Sequence, residues 1–247
     1  MTHHIITLKW GIRYGPEFVN RLASSVRRHT KMPVNVVCFT DDAAGIDPSV
    51  QVFPLPEIDL PPELSLTPWR KLSLFRPDLP IEGLGLFLDL DIVITGPLDD
   101  FFTFGKEEQV PIIHNWVPFH KKLFRPDPQI GNSSVFRFKL NHTDYAWEQF
   151  HSEKNWALET FWPPQTYLTH CIRSRMIYWP DRWVRSFKRH CVPTFPLNWI
   201  LPPKLEADAR IIAFHGRPDP DEAVVGYRGT HLNHRSLPAT WVNEHWR

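Results

Sequence analysis

HIITLKWGIRYGPEFVNRLASSVRRHTKMPVNVVCFTDD, residues 4–42, is the stretch that decides the fold. HIITL (4–8) reads as a buried strand. Gly15-Pro16 punctuates a helix start, with proline at the first helical position, where its missing N–H leaves no bond unmade. Phe18, Val19, Leu22, Ala23 and Val26 then recur at the spacing of one helical face. VNVVCF (34–39) is continuous and β-branched, as in a strand buried on both faces, and it ends in the polar, turn-forming Thr40-Asp41-Asp42. Strand, helix and strand in such a short span is the pattern of a parallel sheet with a right-handed crossover. Ligands of these sheets sit beyond the carboxyl ends of the strands, which puts Thr7, Tyr14 and the Thr40-Asp41-Asp42 turn where a nucleotide would bind.

The pattern continues downstream. WRKLSLF (69–75) reads as a short helix feeding the strand GLFLDLD (85–91). Further strands are expected at VPIIH (110–114), SSVFRF (133–138) and RIIAFH (210–215), and helices near 97–103, 144–152 and 164–172. The expected fold class is α/β: a Rossmann-type α/β/α sandwich with a mostly parallel central sheet in a single domain spanning 1–247. A nucleotide-binding part covers about 1–100 and a part that completes the metal and acceptor site about 101–247.

Composition narrows the function. The chain has 247 residues, 42 % of them apolar, and no apolar run approaches the length of a bilayer-spanning helix. The opening MTHHIITLKWG lacks the charged-then-apolar pattern of a signal peptide, so a cytoplasmic location is expected. Cys38, Cys171 and Cys191 show no CxxC spacing and read as core thiols rather than a disulfide framework or zinc site. A net charge of +1 argues against a nucleic-acid partner. RWVRSFKRH (182–190) is basic with interleaved aromatics and reads as a solvated helix face ahead of a surface for a membrane or an anionic acceptor. The 25 prolines gather in PLPEIDLPPEL (54–64), from Pro118 to Pro128 and after Pro163, marking irregular connections. The Trp-rich neighbourhoods 156–162 and 179–183 suit sugar stacking and core packing equally. The tail WVNEHWR (241–247) is a docking element for a membrane or another subunit.

Asp89 and Asp91 raise the chemical question. On a strand they share one face, where two carboxylates repel and unpaired burial costs several kcal/mol each. A divalent cation with hard oxygen ligands, Mn²⁺ or Mg²⁺, relieves that cost and keeps open positions for substrate phosphates. A second strand-end candidate lies far downstream in IIAFHGRPDP: His215 as a third ligand, with Gly216 allowing a sharp turn and Arg217 gripping phosphate.

At this point the motifs, taken in order, carry a resemblance. ITLKWGIRY (6–14), FTDD (39–42), WRKLSLF, FLDLD, GNSSVF (131–136), PPQTYL (163–168) and FHG (214–216) resemble metal-dependent glycosyltransferases of the GT-A fold. The layout is most similar to the family 8 group that includes glycogenin and lipopolysaccharide galactosyltransferases. The resemblance implies that Asp89, Asp91 and His215 hold the metal on a nucleotide diphosphate, and that Thr7, Leu8 and Tyr14 hold base and ribose. Thr40, Asp41, Leu90, Gly216 and Arg217 complete the donor-binding set. Lys71 is implied near donor phosphate or sugar, and Asn132 and Gln165 under the donor sugar. The implied donor is a UDP-sugar ahead of a GDP-sugar. The implied acceptor is a saccharide or a lipid-linked glycan, with the protein peripheral to the inner membrane face and transfer with retention of configuration. The chain departs from the family at Pro164, where Asp is usual, at Ser133-Ser134, where a glycine is usual, and in the adjacency of His215 and Gly216. Asp127 is the candidate acceptor base.

Two rivals remain. DLDIV also fits the nucleophile motif of a haloacid-dehalogenase-like phosphatase, with Asp89 attacked by phosphorus and Asp91 protonating the leaving group. That motif usually opens its domain, whereas here strand, helix and strand precede it. The other rival is an inactive nucleotide-sugar binding protein.

Overall fold

A computed structural model describes residues 1–116 and 130–247. Asp127 and the Pro118 to Pro128 segment lie outside the described residues.

The first half is as expected. β1 (His3–Lys9), α1 (Pro16–His29) and β2 (Asn35–Thr40) form the parallel unit, with Thr7 opposite Cys38 and Lys9 opposite Thr40. Pro16 opens α1, Glu17 sits in its first turn and Arg27, Arg28 and His29 in its last, charges that complement the helix dipole. β3 (Gln51–Pro54) extends the edge, two 3-10 stretches follow at Pro62–Leu64 and Pro68–Phe75, and β4 (Leu84–Leu88) pairs parallel with β1 on its other side.

Beyond β4 the chain leaves the sheet. β5 (Ile92–Ile94) belongs to a second, smaller sheet, and α2 (Asp99–Thr103) follows it. β6 (Val110–His114) and β7 (Gly131–Lys139) return to the main sheet, then come α3 (Asp144–Thr160, kinked at Glu153), α4 (Pro164–Ile172) and β8 (Met176–Tyr178). The central sheet runs β3-β2-β1-β4-β7-β6-β8, and β7 alone among its strands runs against its neighbours β4 and β6. The expected mostly parallel α/β sandwich is the one observed.

β9 (Val184–Ser186), a π-helical turn at Phe187–Cys191, a 3-10 turn at Leu197–Trp199 and β10 (Ile211–Ala213) complete the second sheet and its approach. Its order is β5-β10-β9. α5 (Pro220–Val225), the ribbon β11 (Tyr227–Arg228) and β12 (Arg235–Ser236), and α6 (Trp241–His245) end the chain.

Alternation along the strands builds two cores, one on each face. Ile5, Val36, Cys38, Leu86 and Leu88 pack with α1, the small sheet and the C-terminal segment. Ile6, Val37, Phe39 and Phe87 pack with Trp69, Phe150 and Tyr167 from the 3-10 stretch, α3 and α4. The three cysteines are free and buried, as expected of core thiols.

Three expectations need correction. Asp89 and Asp91 are not on a strand: β4 stops at Leu88, so the period-two argument for a shared face does not apply to them. RWVRSFKRH is not a helix face but β9, the edge strand of the second sheet, followed by the π-helical turn, and Val184 and Phe187 are buried because they face the core shared with Phe214 and the C-terminal helix. The tail docks on its own core: Val242 and Trp246 are buried, with the Trp246 ring 5.0 Å from that of Phe18 and the Arg21 guanidinium over it. Of the Trp-rich neighbourhoods, Trp179 is core and Trp162 is exposed.

Arg137 is a buried charge that sequence alone does not flag. It sits on β7 and donates to three carbonyls at the end of α2 and beyond, Phe101 (3.3 Å), Phe102 (2.9 Å) and Lys106 (2.6 Å). Burial pushes its pKa down to about 10. Arg137→Met leaves those carbonyls without their donor, at a cost of about 3 kcal/mol. The melting temperature is expected to fall by roughly 6–12 °C. Arg137→Lys recovers only part of that, since a single ammonium lacks the planar fork. Differential scanning calorimetry of the three proteins checks the order.

Candidate active site

The site grows from the three residues between β4 and β5. The Asp89 N–H donates to the Ser134 carbonyl at 2.9 Å, continuing the β4–β7 ladder by one bond. The Phe214 N–H donates to the Asp91 carbonyl at 2.9 Å, extending the β5–β10 ladder. Leu90 is buried between them. The acid pair is thus held by its backbone at the seam of two sheets, at the carboxyl end of β4.

Lys71 reaches Asp89 from the 3-10 stretch at 2.8 Å, and the same ammonium donates to the Ser133 carbonyl at 3.1 Å and the Ser133 hydroxyl at 3.3 Å. An ammonium has three donors, and all three are engaged. Lys71 therefore orients Asp89. The Phe87 ring lies 5.1 Å beneath the charge.

Asp91 has a different environment. The Tyr14 hydroxyl stands 3.4 Å from Asp91 and 3.3 Å from Asp219, and Arg13 pairs with Asp219 at 3.1 Å. Burial, then the charge of Asp89, pushes the Asp91 carboxyl well above the usual range, with Lys71 opposing and Asp219 adding to the rise. The same burial, with Asp91 and Asp219, keeps the Tyr14 hydroxyl protonated. Asp219 is fixed by a second duty: it caps α5, and its own N–H donates to the Glu222 carboxylate at 2.8 Å, completing the reciprocal pair.

His215 follows Phe214 directly, so the register that bonds Phe214 to Asp91 brings the histidine to this end of the small sheet. Its Nε2 lies 2.6 Å from the Ser186 hydroxyl, and its ring stacks on Trp116 with centroids 5.6 Å apart. Burial, reinforced by the cations Lys188 and Arg189, pushes its pKa down to about 4, so it is neutral near pH 7. Among the described residues no three His, Cys, Asp or Glu side chains stand at metal-ligating spacing.

A cleft of about 370 Å³ opens beside the acids. Asp89, Leu90, Asp91 and Lys71 form one wall, and Leu8 of β1 with Arg13 and Tyr14 from the loop after it form the other. The loop is pinned there by Asp41, which accepts from the Gly11 N–H at 2.8 Å, and by Trp10, whose indole donates to the Leu66 carbonyl at 3.0 Å. Thr40 closes the adjoining turn by accepting from the Asp42 N–H at 3.1 Å.

The remaining candidates lie elsewhere. Thr7 is fully buried inside β1, and its hydroxyl has no hydrogen-bond partner among the described residues. Asn132 is buried on β7, where its side-chain oxygen accepts from the Ser134 N–H at 3.0 Å. Gln165 is the second residue of α4, and the Thr169 hydroxyl donates to its carbonyl at 2.8 Å while accepting from the Gly131 N–H at 2.9 Å. Neither Asn132 nor Gln165 lines the acid-pair cleft. Gly216 turns with φ of 72°, and Arg217 pairs with Asp219 (3.3 Å) and Glu222 (2.5 Å).

Arg13 and Asp219 are the residues that sequence reasoning missed. Arg13 stood inside a motif read for its tyrosine. Asp219 stood in RPDPDE, where Asp-Pro followed by an acid three residues on is itself a helix-start signal.

No protein-family model and no curated protein sequence matches the chain. Solved structures do. The galactosyltransferase LgtC in complex with donor and acceptor sugar analogues shares 13 % identity, each chain covered to 88 %, with a TM-score of 0.59. An active-site mutant of LgtC shares 12 %, covering 98 % of this chain and 94 % of that one, with a TM-score of 0.61. The glycosyltransferase GlyE of Streptococcus pneumoniae TIGR4 shares 16 % with a TM-score of 0.59, covering 89 % of this chain, which spans 56 % of GlyE. At these identities the likeness establishes architecture: the chain has the GT-A-like fold of these glycosyltransferases and resembles the family 8 group that includes LgtC.

Proposed function

We propose that this protein transfers a sugar from a nucleotide-diphosphate sugar to a saccharide or lipid-linked acceptor, with the help of a divalent cation. The observation that carries the reading is the cleft at the carboxyl ends of β1 and β4, lined by Asp89, Asp91, Lys71, Arg13 and Tyr14 in a glycosyltransferase-like fold. UDP-sugar is the proposed donor, ahead of GDP-sugar, and retention of configuration the proposed outcome.

Asp89, Asp91 and His215 are the proposed holders of Mn²⁺ or Mg²⁺. Two carboxylates and a neutral imidazole are suitable chemistry for such an ion. The raised Asp91 carboxyl points the same way, because burial first and the neighbouring Asp89 second both disfavour its charge, and a bound cation would relieve both. Binding requires His215 to exchange its hydrogen bond with Ser186. When bound, the ion would neutralise charge developing on the departing diphosphate. Arg13, half exposed on the cleft wall, supplies a second positive charge to that leaving group. Lys71 holds Asp89 in place, and Tyr14 donates to the carboxylates and offers its ring to the base or ribose. Thr7, Leu8, Thr40, Asp41, Leu90, Gly216 and Arg217 stay proposed as the frame of the donor site, Asn132 and Gln165 as positioning groups on the sugar side. The phosphatase and pure-binder readings are not favoured by the glycosyltransferase neighbours.

A thermal-shift panel tests the proposal. UDP-sugars with Mn²⁺ should raise the melting temperature, and the shift should vanish with chelator; no metal-dependent shift with any UDP- or GDP-sugar would sink the reading. Asp89→Asn is expected to lower sugar transfer or donor hydrolysis at least about 10²-fold. Its measurement is product release with donor at saturation.

Asp91→Asn should separate function from stability. It loses the metal-dependent shift, yet the metal-free protein gains of order 1 kcal/mol, or about 2–4 °C, because a repelled buried carboxylate is replaced by a neutral amide. The sign follows from the raised carboxyl: the folded state binds the proton more tightly than the unfolded state, so ionising Asp91 costs stability as pH rises. Metal-free melts at acid and neutral pH check it, since the gain should shrink at acid pH.

A further inference from the structure

A second cleft, of about 150 Å³, is lined in part by Arg217 and Pro218, which follow the Gly216 turn. Lys188 and Arg189 of the π-helical turn, Arg217 after β10, and Arg235 of β12 bring four cations to it, and no acidic residue lines it. Arg217 is balanced by Asp219 and Glu222. The other three gather with no carboxylate on the cleft wall to offset their repulsion, an arrangement that attracts an anion. Ser236 also lines the cleft, is 5 % exposed, and its hydroxyl has no hydrogen-bond partner among the described residues. A buried hydroxyl left open beside three cations is a donor lacking its acceptor.

The cleft has an apolar fringe. Asn198 donates to the Asn233 carbonyl (3.4 Å) and the Arg235 carbonyl (2.9 Å), and the Trp199 indole donates to the Leu232 carbonyl (3.0 Å). The Arg235 guanidinium lies 4.3 Å over the Trp199 ring. These bonds hang the 195–201 segment on the cleft wall. Phe195 (55 % exposed), Ile200 (70 %) and Leu232 (66 %), with Leu197 and Leu201, face solvent there. Grouped apolar side chains beside a cationic pocket match an amphiphile with an anionic head.

We propose that this cleft and fringe dock the protein on an anionic membrane surface, the cleft taking the phosphate of a lipid headgroup and the fringe meeting the acyl chains. The observation is independent of the acid-pair cleft and goes beyond the sugar-transfer reading. Co-sedimentation with vesicles of phosphatidylcholine alone and mixed with phosphatidylglycerol, without metal or nucleotide sugar, tests it. The wild type should partition onto the mixed vesicles and not onto phosphatidylcholine. Arg189→Gln and Arg235→Gln should each weaken partitioning about fivefold. Phe195→Ser with Ile200→Ser should weaken it at least as much, and Ser236→Val should weaken it with net charge unchanged. Arg27→Gln with Arg28→Gln on α1, a charge loss as large as both cleft variants together, should leave it within about twofold.

An equal loss in the α1 variant means diffuse attraction and overturns the proposal, as does failure of the wild type to bind mixed vesicles. Inorganic phosphate raising the melting temperature without vesicle binding overturns the lipid as occupant. Exposed Arg189 is the variant that keeps the test decisive if Arg235→Gln fails to fold. All variants should keep whatever metal-dependent donor shift the wild type has, so failure of the sugar-transfer reading appears in that assay and leaves vesicle binding untouched.

Discussion

Two backbone hydrogen bonds hold the structure together where its chemistry is expected. One ties Asp89 to Ser134 of the main sheet, the other ties Phe214 to Asp91 at the edge of the small sheet. Between them the chain crosses from one sheet to the other in three residues. Had β4 continued, Asp89 and Asp91 would lie side by side on one face of a buried strand. The crossing lets Leu90 stay in the core while both carboxylates reach the cleft. Buried backbone groups need partners, and the two ladders supply them at the bend.

Charge at this seam is arranged unevenly. Lys71 spends all three donors on Asp89 and Ser133, so Asp89 is settled. Asp91 shares only a tyrosine hydroxyl, at 3.4 Å, with Asp219. Asp219 in turn divides itself between Arg13, Arg217 and the cap of α5. One acid of the three is left under-compensated, and its raised carboxyl is the energetic record of that. Such local cost is usual where a fold is kept for a ligand rather than for stability.

The βαβ opening was legible because two periods were present together, a continuous β-branched run and a clear 3.6-residue stripe. The main sheet followed from it. The small sheet did not, since β5, β9 and β10 have three residues each, too few to display alternation. For the same reason GLFLDLD read as one strand running to Asp91, when β4 stops at Leu88 and the chain crosses to β5 in the other sheet. Lys71, Tyr14 and the acid pair were legible as cleft residues; Arg13 and Asp219 were not, because each acts through a turn whose partner is some two hundred residues away. The tail shows a related limit. Trp241, Val242 and Trp246 make an apolar stripe, but nothing local tells whether it covers the protein's own α1 or another surface.

A single turn serves both clefts. Phe214 bonds to Asp91, His215 faces Ser186, Gly216 reverses the chain, and Arg217 and Asp219 pair with each other. Gly216 is held to this by two constraints. Its φ of 72° disfavours any side chain, and a Cβ there would meet the Lys188 ammonium at 3.3 Å. The acids therefore end where the cations begin, with one glycine between them. The turn that ties Phe214 to the acid pair also sets Arg217 and Pro218 on the wall of the basic cleft.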